Sequence, residues 1–227
     1  MEAGKVQSQV REAGPRSART RAALLAAAQT LLAERPIGSV SIDEIVQAAG
    51  VAKGSFYNHF TDKEALAAAV RGNIRETLEL AVGKIIEGVS DPAQRVARAI
   101  CIYVAYVFAE RERALVLQQL CVGLAAIDSP LNERLLHEIA EGLRARRFVA
   151  PSVEAGVLFV LGAAHIALLR IVEEPDRGRT IPICQQLIAL VLRGLGIPLD
   201  EAESITALAI YELVEAGSPL RNETENL

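Results

Sequence analysis

The sequence is poor in the residues that metal and disulfide sites need. Among 227 residues there is no tryptophan, and only nine aromatic side chains and three histidines. The three cysteines, Cys101, Cys121 and Cys184, form no CxxC pair, and no histidine lies at metal-ligand spacing from them. This pattern argues against a disulfide-stapled domain and a zinc site, and it favours a reducing, intracellular compartment with buried thiols.

Signals for export, membrane insertion and catalysis are also missing. The first eighteen residues are charged and contain no apolar run, so no secretory signal is predicted. The longest uncharged apolar run, residues 155–169, has fifteen residues, fewer than the roughly 20 that a bilayer span needs. His59, His137 and His165 fall in separate segments, and we find no nucleophile-base pair and no phosphate-binding glycine loop. We expect no enzyme activity, no cofactor and no metal.

Charge and hydropathy divide the chain into two unequal parts. Hydrophobic residues make up 51% of the sequence and recur at helical spacing, which predicts an all-α protein. The net charge of -4 argues against a general nucleic-acid binder, but residues 1–75 carry ten basic against seven acidic side chains. The basic part is therefore the amino-terminal third.

The amino-terminal third predicts three short helices after a flexible basic arm, residues 1–18. Helix 1 runs from Thr20 to before Pro36, and Ser41 to Glu44 forms a capping box for a second helix that ends at Gly50. A third helix, residues 53–60, follows after a tight turn, and residues 61–64 form a second capping box with Thr61 as the cap. This arrangement is typical of a helix-turn-helix domain, which we place at residues 19–66.

The remaining sequence predicts a helical bundle, residues 67–217, followed by a flexible tail, residues 218–227. Proline- and glycine-containing breaks separate its predicted helices. These helices span residues 62–88, 91–110, 111–126, 129–146, 152–173, 180–195 and 200–216.

The segment VAKGSFYNHFTDKEAL, residues 51–66, holds three of the nine aromatic residues. Phe56 and Phe60 are spaced i, i+4 and should seat the third helix on the other two. Gly54 and Ser55 would let the helix approach base edges, and the polar side chains beside them suit bases and phosphates. The candidate DNA contacts are Arg19, Thr20, Ser41, Lys53, Gly54, Ser55, Tyr57, Asn58, His59 and Lys63.

The pattern from Arg19 to Leu66, above all IDEIVQAAGVAKGSFYNHFTDKEAL, closely resembles the DNA-binding domain of the TetR (tetracycline repressor) family of bacterial transcriptional regulators. Ala52 departs from the Ser or Thr that caps the recognition helix in many members, at a cost of about 1 kcal/mol. The resemblance implies a cytoplasmic homodimer that binds double-stranded DNA, with recognition helices about 34 to 36 Å apart on a palindromic operator. It also implies a small-molecule effector bound by the carboxy-terminal part, and repression as the expected mode.

Two features of the bundle bear on the effector and the dimer. The candidate effector-binding residues are Tyr103, Tyr106, Val107, Gln118, Cys121, Phe159 and His165, on three apolar helices. Between Glu154 and Arg170 no ionisable side chain other than His165 occurs, which favours a largely apolar effector. Segments 152–173 and 180–195 are apolar around most of their circumference, which predicts a four-helix dimer interface.

Two alternatives compete with this hypothesis. A DNA-binding regulator could sense redox state through Cys101, Cys121 or Cys184, and Arg98 is the basic residue one helical turn from Cys101. The chain could instead be a helical ligand carrier or an enzyme whose helix-turn-helix is only structural. Specific DNA binding is expected of both the ligand-responsive and the redox-sensing regulator, but not of a carrier or an enzyme.

Overall fold

The computed structural model describes residues 15–119 and 132–215, and all its regular elements in these ranges are helical. The α-helices are α1 (Pro15–Glu34), α2 (Ile42–Ala48), α3 (Lys53–Tyr57), α4 (Lys63–Ile86), α5 (Pro92–Ala109), α6 (Arg111–Gln119), α7 (Glu133–Arg144), α8 (Val153–Glu173), α9 (Arg177–Gly194) and α10 (Leu199–Ile210). A 3-10 turn, Ile37–Ser39, joins α1 to α2, and a π-helical turn, Tyr211–Glu215, follows α10. The all-helical prediction is confirmed.

Local capping signals determine where the short helices begin and end. Ser41 and Glu44 form the predicted reciprocal capping box at the start of α2. Gly50 has a φ of +64°, the left-handed conformation that lets the chain turn into α3. The second cap differs by one residue from the prediction: Asp62, not Thr61, accepts the hydrogen bond from the Ala65 amide at 2.7 Å. No side chain caps α3 at Ala52.

The helices pack around α5, which contacts α4, α6, α7, α8, α9 and α10. Helix α1 packs against α4 and α6, so the amino-terminal helices rest directly on the bundle. One hydrophobic core runs from Leu24 through Phe56 and Leu78 to Val214. A change in the position of α4 or α6 would therefore alter the packing of α1.

Several predicted boundaries need correction. Helix α1 already begins at Pro15, so the predicted arm is helical over residues 15–18, and the first fourteen residues lie outside the described ranges. Helix α3 ends at Tyr57 rather than at residue 60, and α9 starts at Arg177, where Asp176 caps it. The predicted end of α6 and start of α7, together with the whole predicted tail, fall on residues that the structure does not describe.

Helix α8 is long and apolar enough to cross a membrane by length and composition, with 21 residues and a mean hydropathy of 2.1. The uncharged run of residues 155–169 was too short for a membrane span, but α8 extends beyond that run at both ends. A core helix of a soluble protein passes the same test, and α8 packs against α5, α6, α7 and α9. The finding is weak evidence for a membrane span.

Candidate nucleic-acid interface and helical cavity

Two phenylalanines seat α3 on the rest of the domain, as the i, i+4 spacing predicts. Phe56 is fully buried, Phe60 is 6% exposed, and their ring centroids lie 5.9 Å apart. The guanidinium of Arg21 on α1 lies 5.5 Å from the Phe60 ring centroid, a cation-π distance. A helix of only five residues is not stable in isolation. The packing of the two phenylalanines therefore determines where the outer face of α3 points.

The outer face of α3 presents polar groups to solvent. Tyr57 is 55% exposed, Lys53, Gly54 and Asn58 are exposed, and Ser55 and His59 are half-buried. A Cβ atom added at Gly54 would meet no heavy atom within 4 Å, so the free protein leaves open space there. Within the described ranges no side-chain hydrogen bond is found for Ser55, Tyr57 or Asn58, and these groups can bind a partner without breaking internal bonds.

Lys53 already has a partner in the free protein. Its ammonium lies 2.8 Å from the Asp43 carboxylate on α2, and this hydrogen bond raises the pKa of Lys53. Both side chains are more than half exposed, so the ion pair is weak. A DNA phosphate could compete for the lysine at little cost.

Ser41 is used by its own cap. Its hydroxyl accepts from the Glu44 amide at 3.2 Å and donates to the Glu44 carboxylate at 2.8 Å. Arg35 also donates to Glu44 at 2.8 Å, and the hydrogen bonds from Arg35 and Ser41 lower the pKa of Glu44 to about 2. The Ser41 hydroxyl therefore holds the start of α2, and a DNA contact there would have to use its remaining lone pair.

Lys63, a predicted phosphate contact, is half-buried and bonds inside the protein. Its ammonium donates to the carbonyl oxygens of Ile37 at 2.9 Å, Val40 at 3.0 Å and Gly38 at 3.2 Å. These carbonyls belong to the turn between α1 and α2, and Lys63 is the first residue of α4. In this conformation the predicted phosphate contact is replaced by an internal bond between helix α4 and that turn.

The two remaining candidates lie on the first helix. Arg19 is exposed on α1, whereas Thr20 is half-buried and its hydroxyl donates to the Arg16 carbonyl at 3.0 Å. Arg19 is therefore accessible for the predicted DNA contact. Thr20 would have to break a hydrogen bond within α1 to donate to a phosphate.

A cavity of about 90 Å³ lies inside the bundle, between α4, α5, α7 and α8. Its apolar wall includes Val96, Ile100, Val160, Leu161 and Leu168. Arg71, Arg75, Glu79, Val82 and Ile86 of α4 also line it, with Leu117 of α6 and Asn132, Arg134 and Glu138 at or on α7. The cavity thus touches the helix that carries Lys63.

The cavity collects two of the seven predicted effector residues, Tyr103 and His165. Tyr106 and Val107 are buried on other faces of α5, and Gln118 is not among the lining residues. Phe159 is 45% exposed, and its ring occupies the place where a Cβ of Gly194 on α9 would lie. Cys121 lies outside the described residues. The four other described residues do not line this cavity, because each lies on another face of its helix.

Charged groups in the cavity wall went unpredicted. Burial raises the pKa of Glu79, against the opposing effect of Arg75 and Arg134. The buried Arg75 donates to Asn132 at 2.8 Å. Arg95 pairs with Glu138 and Glu141. The expectation of few charges came from α8 alone, whereas these side chains come from α4, α5 and α7.

The buried thiols do not suit redox sensing. Cys101 is fully buried and Cys184 is 1% exposed, and burial raises the pKa of both thiols, that of Cys184 to about 11. A protonated, inaccessible thiol is a poor nucleophile. Arg98, the basic neighbour expected from sequence, pairs with Glu212 at 2.7 Å.

Helices α8 and α9 expose apolar side chains on the surface of the single chain. These are Leu158, Phe159 and Ile166 on α8 and Ile183 and Leu190 on α9, each 40% to 57% exposed. Gly162 is exposed between them, and a Cβ there would meet nothing within 4 Å. An apolar face of this kind is typical of a protein-protein interface.

The helix-turn-helix followed by a helical bundle with an internal cavity defines a class of bacterial DNA-binding regulators. The family profile described as "Bacterial regulatory proteins, tetR family" matches residues 24–70. The chain is 27% identical over 132 residues to the regulator HbdR of Aromatoleum sp. (strain CIB), a match over 58% of this chain and 55% of HbdR. It is 25% identical over 192 residues to the repressor KstR2 of Rhodococcus jostii (strain RHA1), over 78% of this chain and 92% of KstR2.

Solved structures agree with the fold. The crystal structure of RolR in complex with resorcinol has a TM-score of 0.68 and 26% sequence identity, and the alignment covers 85% of this chain and 95% of RolR. The family match thus covers the helix-turn-helix and the start of α4, and the relatives and the solved structure extend the similarity into the helical bundle. The match to HbdR spans only about half of that relative's length.

Proposed function

We propose that the chain is a cytoplasmic, ligand-responsive transcriptional repressor that binds a palindromic operator as a homodimer and is released by a small, largely apolar effector. The relatives named above are regulators, which supports this function over a carrier or an enzyme.

The observation that carries the proposal is the position of the cavity against α4. Five of its lining residues lie on this helix, and Lys63 at the start of the same helix holds the turn between α1 and α2. Leu117 connects the cavity to α6, which packs on α1. A molecule that displaces α4 or α6 would therefore move the helix-turn-helix relative to the bundle.

The size of the cavity suggests how binding would produce this displacement. An apolar cavity of about 150 Å³ accommodates benzene, whereas this cavity has about 90 Å³. A one-ring effector would have to push the helices apart, because packed interiors have few other voids to give. RolR is crystallised with resorcinol, a one-ring compound, which supports an effector of that size.

The dimer would form through the apolar faces of α8 and α9. Two copies of this face would bury the exposed leucines and phenylalanine and would place two recognition helices about 34 to 36 Å apart, one helical turn of DNA. Changing that separation weakens binding to both half-sites together, which would release the operator.

The test combines operator selection with an effector screen. Selection from a random DNA pool should return a palindrome, and fluorescence anisotropy should give its affinity. Compounds that raise the Tm of the protein should then lower operator affinity at least tenfold. Selected DNA without two-fold symmetry, or operator affinity unchanged at saturating effector, would contradict the proposal.

A further inference from the structure

The carboxylate of Glu79 lines the cavity and makes two long contacts there. The Tyr103 hydroxyl donates to one of its oxygens at 3.3 Å, and the Arg134 guanidinium lies 3.5 Å from the other. Ordinary O–H···O bonds are about 2.7 Å and charged N–H···O bonds about 2.8 Å. Both contacts are at the limit of hydrogen bonding, so Glu79 retains most of its capacity to accept a hydrogen bond.

Partial burial keeps Glu79 from satisfying this capacity fully with water. The Glu79 side chain is only 23% exposed, and burial raises its pKa. Arg134 approaches from α7 across Gly83, where an added Cβ would lie only 2.8 Å from its guanidinium, so the glycine leaves the room that this arginine occupies. A partly buried carboxylate with only long contacts is incompletely hydrogen-bonded, even with the charge of Arg75 nearby, and a bound donor would offset part of its desolvation.

We propose that Glu79 and Tyr103 form the polar subsite of the effector cavity and bind the hydroxyl group of a small, neutral phenol or alcohol. The ligand hydroxyl donates to Glu79 and accepts from Tyr103, which opens their long bond and inserts one oxygen between them. The carbon skeleton lies against Val96, Ile100 and Leu168. This inference rests on the proposed function and names the chemical class of its effector.

The subsite discriminates between compounds of one size. A hydrocarbon of the same shape would offer Glu79 no additional donor, and a carboxylate would place a second negative charge beside Glu79 and no proton for it to accept. A hydrogen bond to a charged group is worth about tenfold or more in affinity. The preferred ligand therefore carries a neutral hydroxyl group, and it binds more tightly than a hydrocarbon or a carboxylate of the same size.

The experiment measures binding of 3-methylphenol, toluene and 3-methylbenzoate to the full chain by calorimetry and thermal shift. We expect 3-methylphenol to bind at least tenfold more tightly than the other two. In Glu79→Gln and in Tyr103→Phe this preference over toluene should fall about tenfold and severalfold, respectively. Glu76→Gln, an exposed carboxylate on the same helix, serves as the control and should change nothing.

The outcomes separate the subsite from the regulatory function. Equal or tighter binding of 3-methylbenzoate or toluene, or an unchanged preference in Glu79→Gln, would overturn the subsite even if some other compound releases the operator. Binding of 3-methylphenol that depends on Glu79 establishes the subsite even where operator affinity stays constant; that last result would instead contradict the proposed coupling to DNA.

Discussion

The ammonium of Lys63 donates to the carbonyl oxygen of Ile37 at 2.9 Å and thereby ties the first residue of α4 to the turn between α1 and α2. Two further carbonyls of that turn, from Gly38 and Val40, share the same ammonium. The bond joins the helix that lines the cavity to the helices that orient α3. Its integrity should matter for stability as well as for DNA binding.

Replacing Lys63 with methionine should lower the free energy of unfolding by about 2 kcal/mol, because three carbonyl oxygens lose their donor. Urea denaturation measures this change, with Lys84→Met, an exposed lysine on α4, as the control. If Lys63 acts only on a phosphate, stability would instead be unchanged, and the slope of log affinity against log salt would fall by about one.

Gly54→Ala should separate folding from DNA binding. The added methyl group meets nothing within 4 Å in the free protein, and alanine favours the helix, so the Tm should not fall. On the operator the same methyl would stand between the α3 backbone and the base edges, and affinity should drop at least tenfold. Gly72→Ala on α4, equally open, is the matched control; operator affinity equal in the two variants would refute the role of Gly54.

Phe56 and Tyr57 are adjacent but should respond oppositely to truncation. Phe56→Ala removes a fully buried ring and should cost about 3 to 5 kcal/mol of stability. Tyr57→Ala removes a side chain that is 55% exposed, so stability should change by less than about 1 kcal/mol while operator affinity falls. Chemical denaturation and anisotropy on both variants provide the comparison, and a large stability loss in Tyr57→Ala would contradict it.

The capping box should give stability a defined pH dependence. The pKa of Glu44 is about 2 in the folded protein against an ordinary value of 4.5, so its ionised form stabilises the fold above about pH 4.5. That contribution is lost as pH falls from 4.5 towards 2. The Tm difference between wild type and Glu44→Gln should therefore be present at pH 7 and shrink by pH 3. Glu203→Gln, at an exposed glutamate on α10, is the matched control. A Tm difference for Glu44→Gln that grows on acidification would contradict the assignment.

Leu190→Arg should convert the proposed dimer to a monomer. Leu190 is 54% exposed on α9, and a buried arginine without a partner would oppose association. Light scattering at micromolar concentration should show half the mass, and operator affinity should fall with it. Leu80→Arg replaces a leucine that is 62% exposed on α4 and should leave the mass unchanged. A wild-type chain that is already monomeric would refute the interface.

Local chemistry in the sequence was sufficient for the all-helical fold, the caps and the position of α3. The Ser41–Glu44 box, the left-handed Gly50 and the Phe56–Phe60 spacing act over three or four residues, so the chain order displays them directly. Even there the predicted cap at Thr61 was wrong by one residue, because Asp62 is the residue that caps α4. The solvent-exposed face of α3 around Tyr57 was predictable for the same reason.

Only the tertiary structure decided what lies between helices. Lys63 and Ile37 are 26 residues apart, and Tyr103 and Glu79 are 24 apart, so no local pattern announces either contact. The cavity needs walls from several helices at once, and the rotation of each helix decides whether Phe159 faces the cavity or the surface. The sequence by itself therefore determined the helices and the class of protein, whereas packing decided which side chains line the cavity and which bond ties α4 to the turn before α2.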